Sequence, residues 1–224
     1  ELAGVWQVVG GTTLTFIDGT LSAPTDGTYA RVLATGVIDI PTNFAKYMAG
    51  TIRNDGLIRL DGYVSASDSL GLVNTKSLDL IGASEFNCCD GSVGPRQIYN
   101  MGAGIIRKIG TEDSTATIEI PIDNDGIVRA ETGTLRVTGG TGVGREAGGE
   151  FGAFWGAEIV LPSGDFVFGN AGRLNGPGFV TLDGANLSGA FRVKGRTNFR
   201  HNAGDISGPT DFRSAIIEPG AKWT

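Results

Sequence analysis

One short phrase of this chain is written twice. Asn54-Asp55-Gly56-Leu57-Ile58-Arg59 returns almost residue for residue as Asn124-Asp125-Gly126-Ile127-Val128-Arg129. A looser copy is Asn100-Met101-Gly102-Ala103-Gly104-Ile105-Ile106-Arg107, and Leu72-Val73-Asn74 is a degenerate member. The asparagines fall at 54, 74, 100 and 124, separations of 20, 26 and 24. Repetition at such a period marks units that cannot bury an apolar face alone and must stack on their neighbours. The uneven spacing fits insertions at the corners of a coil. Nothing else in the sequence constrains the fold as strongly.

The second copy sits in Ile118 to Gly140, where short β-branched runs are separated by Asn124-Asp125-Gly126 and Thr132-Gly133. Apolar alternation over four to six residues is the pattern of a half-buried strand, and Asn, Asp and Gly supply positive φ at turns. Runs and turns together match about one coil of a parallel β-solenoid, roughly 20–30 residues. The same rhythm runs from Val5 to Gly82 and from Phe154 to Gly220. Glycine contributes 37 of 224 residues with no three-residue period, which excludes collagen. No window carries a helical apolar stripe. The best helical candidate, Asn43 to Ala49, is short and stops at Gly50.

The expected fold is therefore all-β: one parallel β-solenoid domain over residues 1–224 with no substantial helix. At about 22–26 residues per coil it makes roughly nine or ten coils, a rod about 45 Å long. Irregular loops are expected near 42–50, 84–97 and 140–153. The predicted structural turn residues are Asn54, Gly56, Asn74, Asn100, Gly102, Asn124 and Gly126, with the four asparagines hydrogen-bonded up and down the stack.

Several chemistries are weighed and set aside. The formal charge is −6 with Lys and Arg scattered singly, so there is no basic patch for a nucleic-acid backbone. No apolar run reaches the length of a spanning helix. Gly142-Val143-Gly144-Arg145-Glu146-Ala147 contains G-x-G-x-x-A, but Gly148-Gly149 opposes the helix that a dinucleotide fingerprint needs. Asp123-Asn124-Asp125-Gly126 resembles a calcium loop, yet EF-hand register would put Pro121 and Thr132 at two ligand positions. No cofactor is expected beyond adventitious calcium. Asp55, Asp61, Asp79, Asp123, Asp125 and Glu131 are the carboxylates that a carbohydrate-active β-helix would use, but nearly all sit beside glycine in turns, where backbone chemistry already explains them. His201 lacks a nucleophile partner. Adjacent Cys88-Cys89 read as turn residues, with a strained vicinal disulfide as the alternative. Asn186-Leu187-Ser188 is a sequon.

The order IEIPIDNDGIVRAETGTLRVTGG (118–140), AEIVLPSG (157–164), FVFGNAGRLNGPGFVTLDGANLSGAF (166–191) and IIEPGAKW (216–223) resembles the Gly/Asn-rich repeats of large secreted bacterial surface proteins, filamentous-haemagglutinin-like and autotransporter-passenger-like. The resemblance implies a right-handed parallel β-helix, displayed outside the cell or on its surface, and brings no catalytic residues. The expected function is a structural rod, stalk or fibre, with self-association or further coils of a longer chain as partner. The rival readings are an adhesin or virion-fibre module engaging glycans or a cell surface through loops 84–97 and 140–153, and a carbohydrate-active enzyme.

Overall fold

The computed structural model describes residues 1–24, 26, 28–42, 46–67, 69–88, 96–142, 144–208 and 215–224. They form a β-solenoid of about nine turns, every inter-strand pairing parallel, with no helix among the described residues. Face I is a six-stranded sheet of Gln7–Val8, Ala30–Val32, Thr51–Asn54, Gly71–Asn74, Gln97–Asn100 and Ile122–Asn124. Face II, eleven-stranded, begins Thr13–Thr15, Val37–Ile40, Leu57–Leu60, Ser77–Ile81, Ile105–Ile109 and Ile127–Ala130. It continues through Glu150–Ala153, Asp165–Asn175 and Asn186–Val193 to Ile206–Ser207 and Ile216–Ile217. Face III is ten-stranded, from Gly19–Ser22 through Tyr63–Ala66, Thr134–Val137 and Phe179–Asp183 to Lys222–Trp223.

Alternation within each strand sends one set of side chains inward. Thr51–Asn54 buries Ile52 and Asn54, and Leu57–Leu60 buries Ile58 and Leu60. Parallel register turns these positions into columns. Ile38, Ile58, Leu78, Ile106, Val128, Phe151, Leu174 and Val193 stack directly along face II, all at most 1% exposed. Each such burial stabilises by roughly 1.5–3 kcal/mol relative to exposure, and a rung gains it only with neighbours above and below. The phrase at 118–140 supplies one rung, Ile122–Asn124, Ile127–Ala130 and Thr134–Val137, while Ile118 closes the rung before it.

Three expected loops contain strands. Lys46–Ala49 pairs with Gly19–Ser22, placing Met48 beside Leu21 in the core, so this end of the helical candidate is extended; residues 43–45 lie outside the described set. Glu85–Cys88 pairs along its length with Tyr63–Ala66, burying Phe86, and Gln97 already opens the next strand. Glu150–Ala153 pairs with Ile127–Ala130 and buries Phe151. In each case a single rung lacks the full β-branched alternation, and stacking register restores what local propensity leaves undecided.

From Asp165 onward the cross-section changes. Asp165–Asn175 is one strand that runs from above face I into face II: Phe168 bridges Ala147, whereas Arg173 registers with Glu150. The corner has become a bend at Gly169–Ala171, where the pairing with Asn186–Val193 shifts register between Phe168 and Gly172.

Candidate functional site

The face I/face II corner holds the predicted asparagines, all four fully buried. Asn54 Nδ2 donates to Asn74 Oδ1 at 2.8 Å and to the Ser77 carbonyl at 2.7 Å. Asn74 Nδ2 donates to Asn100 Oδ1 at 2.8 Å and the Ile105 carbonyl at 3.2 Å. Asn100 repeats this toward Asn124 Oδ1 at 2.7 Å and the Ile127 carbonyl at 3.2 Å. Asn124 donates to the Glu150 carbonyl at 3.1 Å, and at the other end Asn54 Oδ1 accepts from the Gly56 amide at 3.2 Å. Each carboxamide thus finds a backbone carbonyl of face II as a partner, as buried polar groups require. Val32 and Val8 continue the column below Asn54.

Two details differ from the sequence reading. The corner glycines Gly56 and Gly126 do not adopt positive φ, whereas Gly133 does, at 60°. Gly126 is needed for close approach: an added Cβ would lie 2.2 Å from the Gly104 carbonyl oxygen. The second difference is that Gly102 is not the equivalent residue. A Cβ there would meet only Asp125 O at 3.9 Å, while Gly104 packs on Asn74 O and Asn100 Oδ1 at 2.4 Å each. The Asn100 corner carries two extra residues, which moves the tight position from Gly102 to Gly104.

Outside, arginines are set in register on successive rungs. Arg31 lies beside Arg53, and Arg107 beside Arg129. Asp55 bridges the first pair, accepting from Arg53 Nε at 2.9 Å, from Arg31 Nε, and from Thr75 Oγ1 at 2.6 Å. Burial would raise the Asp55 carboxyl, yet hydrogen bonds from Thr75, Arg53 and Arg31 hold it down at about 2. Glu131 bridges the second pair, 3.7 Å from Arg107 Nη1 and in closer contact with Arg129. Asp79 also holds Arg107 with two bonds of 2.7 and 2.8 Å. Like charges in register repel, and a carboxylate between them reverses the sign. The sequence reading missed these bridges because it weighed the carboxylates without the arginines spaced one coil apart.

The carboxylates considered for catalysis are dispersed over these columns. Asp123 lies on face I, where burial pushes its carboxyl up, Arg145 at 3.6 Å pulls it back and Asp125 adds to the rise. Asp61 and Asp125 occupy separate corners. Among the described residues no three His, Cys, Asp or Glu side chains group as a metal site. The glycine motif after Gly140 is a loop folded back onto face I. Gln97 Nε2 donates to the Thr141 carbonyl at 3.4 Å, and the Arg145 guanidinium stands 5.7 Å from the Tyr99 ring centre. His201 shares a hydrogen bond with the Gly204 carbonyl at 2.9 Å. Cys89 lies outside the described residues. Asn186 donates to Asp165 Oδ1 at 2.8 Å from an exposed position.

Comparison with protein-family models, characterised proteins and solved structures finds no match for this chain. The functional reading therefore rests on the geometry.

Proposed function

We propose that this chain is a stiff segment of an extracellular rod, lengthened by stacking of one β-solenoid coil on the next. The observation that carries the reading is the form of the first and last rungs. The described strands of each lie in register with the inner neighbour, Gln7 on Arg31 and Thr13 on Val37 at one end, Arg192 on Ile216 and Asn198 on Lys222 at the other. At the last rung Ile217 and Trp223 continue the Val193 and Phe199 columns yet stay 39% and 47% exposed. Strand edges with apolar side chains are templates for further pairing. Faces II and III carry strands in both end rungs, so a following coil could extend those columns.

Electron microscopy and light scattering of this chain over a wide concentration range test the reading. Head-to-tail rods that lengthen with concentration, and that Ile217→Lys shortens, are expected. A strictly monomeric chain whose terminal-strand amides are as slow to exchange as central ones would refute it, because those edges would then need no cover.

A further inference from the structure

Charge is spread unevenly along the axis. Residues 184–224, which supply the last two rungs, carry six basic side chains against three acidic ones, a net of +3. Residues 1–183 carry twelve against twenty-one, a net of −9, and the lowest two rungs, residues 1–49, hold −2 of it. The rod is therefore acidic over most of its length and basic at one end. Arg196 and Lys222 are exposed at that end, as Glu1 and Asp18 are at the other. The apolar interiors of the two ends also correspond. The face II column that opens at Leu14, beneath Ile38, is the same column that closes at Ile217, above Val193. Leu14 is only half-buried, and a recess of about 300 Å³ lies at the first rung with Leu2, Trp6, Val8 and Leu14 in its walls. Trp6 Nε1 donates to the Ser22 carbonyl at 2.9 Å, so the polar edge of the indole is satisfied and its ring serves as an apolar wall.

We infer that the partner at these ends is a second copy of this chain, docked head to tail, so that Ile217 of one copy seats in the recess beneath Leu14 of the next and carries the face II column on without a break. This names the partner for the stacking proposed above and rests on that reading. Charge selects both the copy and its direction. The basic end meets an acidic end in the head-to-tail contact, whereas two upper ends or two lower ends would bring like charges together. Two rungs span roughly 10 Å, about the Debye length at 0.1 M salt, so the charges of both terminal rungs act across the contact. Head-to-tail docking also keeps every strand parallel, and a heterologous contact of this kind repeats into an open filament. A purely apolar cover would need no such polarity.

Two charge variants, each altered at exposed positions of one end, test this by sedimentation velocity. Arg196→Glu with Lys222→Glu turns the upper end from +3 to −1, and Glu1→Lys with Thr15→Lys turns the lower end from −2 to +1. The parent should lengthen with concentration, its dissociation constant rising roughly tenfold between about 0.05 and about 0.5 M salt. Each variant alone should stay monomeric where the parent assembles, and an equal mixture of the two should assemble again, because every basic end then finds an acidic one. Circular dichroism melts check that both variants fold; if one does not, the salt dependence of the parent carries the test. Assembly of either variant alone as readily as the parent, a mixture that stays monomeric, or parent assembly indifferent to salt would overturn the inference and leave the stacking itself intact. A parent that stays monomeric while its terminal-strand amides exchange quickly would also overturn it, and would leave the rod reading standing with coils other than its own as the cover.

Discussion

Replacing Asn100 by valine tests whether the buried ladder stabilises the stack or merely decorates it. Valine fits the column, since Val32 and Val8 occupy the same position two and three rungs below Asn74. The change removes three hydrogen bonds: donation to Asn124 Oδ1 and to the Ile127 carbonyl, and acceptance from Asn74 Nδ2. At about 1 kcal/mol net for each bond, and 1–3 kcal/mol for Asn124 Oδ1, the one atom left buried with no other partner among the described residues, the loss is about 4–6 kcal/mol. Burial of the valine side chain offsets roughly 1 kcal/mol of that. A net loss of about 3–5 kcal/mol lowers the melting temperature by about 6–20 °C in a chain of this size. Asn124→Val loses two bonds and should cost less. The double variant should be milder than the sum, because the bond between them is lost once. Circular dichroism melts and urea titrations of the four proteins give these differences. A melting temperature for Asn100→Val within about 2 °C of the parent would refute the reasoning, since that is the scale of an ordinary surface substitution.

Other perturbations probe the corners and the charges. Gly126→Ala forces a Cβ to 2.2 Å from the Gly104 carbonyl and should cost about 3 kcal/mol or more, while Gly102→Ala, with open space and no positive φ, should be neutral or stabilise by about 0.5 kcal/mol; equal melting of the two would remove Gly104 and Gly126 from the tight column. Asp55 is held down at about 2 in the folded chain, against 3.8 without partners, so its contribution is fully present above about pH 4 and disappears as pH falls toward 2. Asp55→Asn should lower stability at neutral pH and flatten that stretch of an acid titration followed by fluorescence. Lys108 is fully buried, its ammonium donating to the Ile109 and Thr111 carbonyls, and burial lowers its pKa below 10.5. The unfolded chain then binds more protons between the two values, so stability rises with pH across that alkaline window. Lys108→Met, placed between Leu80 and Ala130, should abolish the rise without a loss of stability beyond about 1.5 kcal/mol.

The part of this fold that reads from the sequence is the part that repeats locally. Asn54, Asn74, Asn100 and Asn124 recur at about one coil, three of them followed by an apolar pair, so the period, the all-β class and the ladder follow from them. What stays hidden depends on register between rungs. Gly104 rather than Gly102 becomes the tight position only once the insertion in that corner is aligned against Asn124-Asp125-Gly126. Phe151 looks like loop because Gly148, Gly149 and Gly152 surround it, yet Val128 beneath and Leu174 above draw it into the core. The arginine pairs are more than twenty residues apart in the chain, and their partners are acids that alone look like turn formers. Reading arginines at one-coil spacing would have exposed them.

The change of core after the sixth rung ties the ladder to the course of the later strands. An asparagine corner needs backbones pressed together, which Gly104, Gly126 and Gly149 permit. Beyond Asn124 phenylalanines gather in the neighbouring core: Phe151 meets Phe166 and Phe168 edge-on at 5.8 Å, and Phe168 lies 5.4 Å from Phe191. Rings of this size cannot occupy a corner built to that spacing, so the strand runs on through it as Asp165–Asn175 and Asn186–Val193. The passage from one side to the next then falls at Gly169–Ala171, where Gly172 packs its backbone on the Phe168 ring and Gly189 approaches the Phe168 carbonyl with φ of 88°. A bulge of this kind bends the strand and re-aims the side chains beyond it. Those side chains are Arg173 and Arg192, and the hollow beside them is lined by Asn170 and Ala171 of the bend itself. In the lower rungs the corner keeps charged columns close enough for Asp55 and Glu131 to bridge them. In the upper rungs the Arg173–Arg192 pair lies between Glu150 on one side and Glu218 on the other.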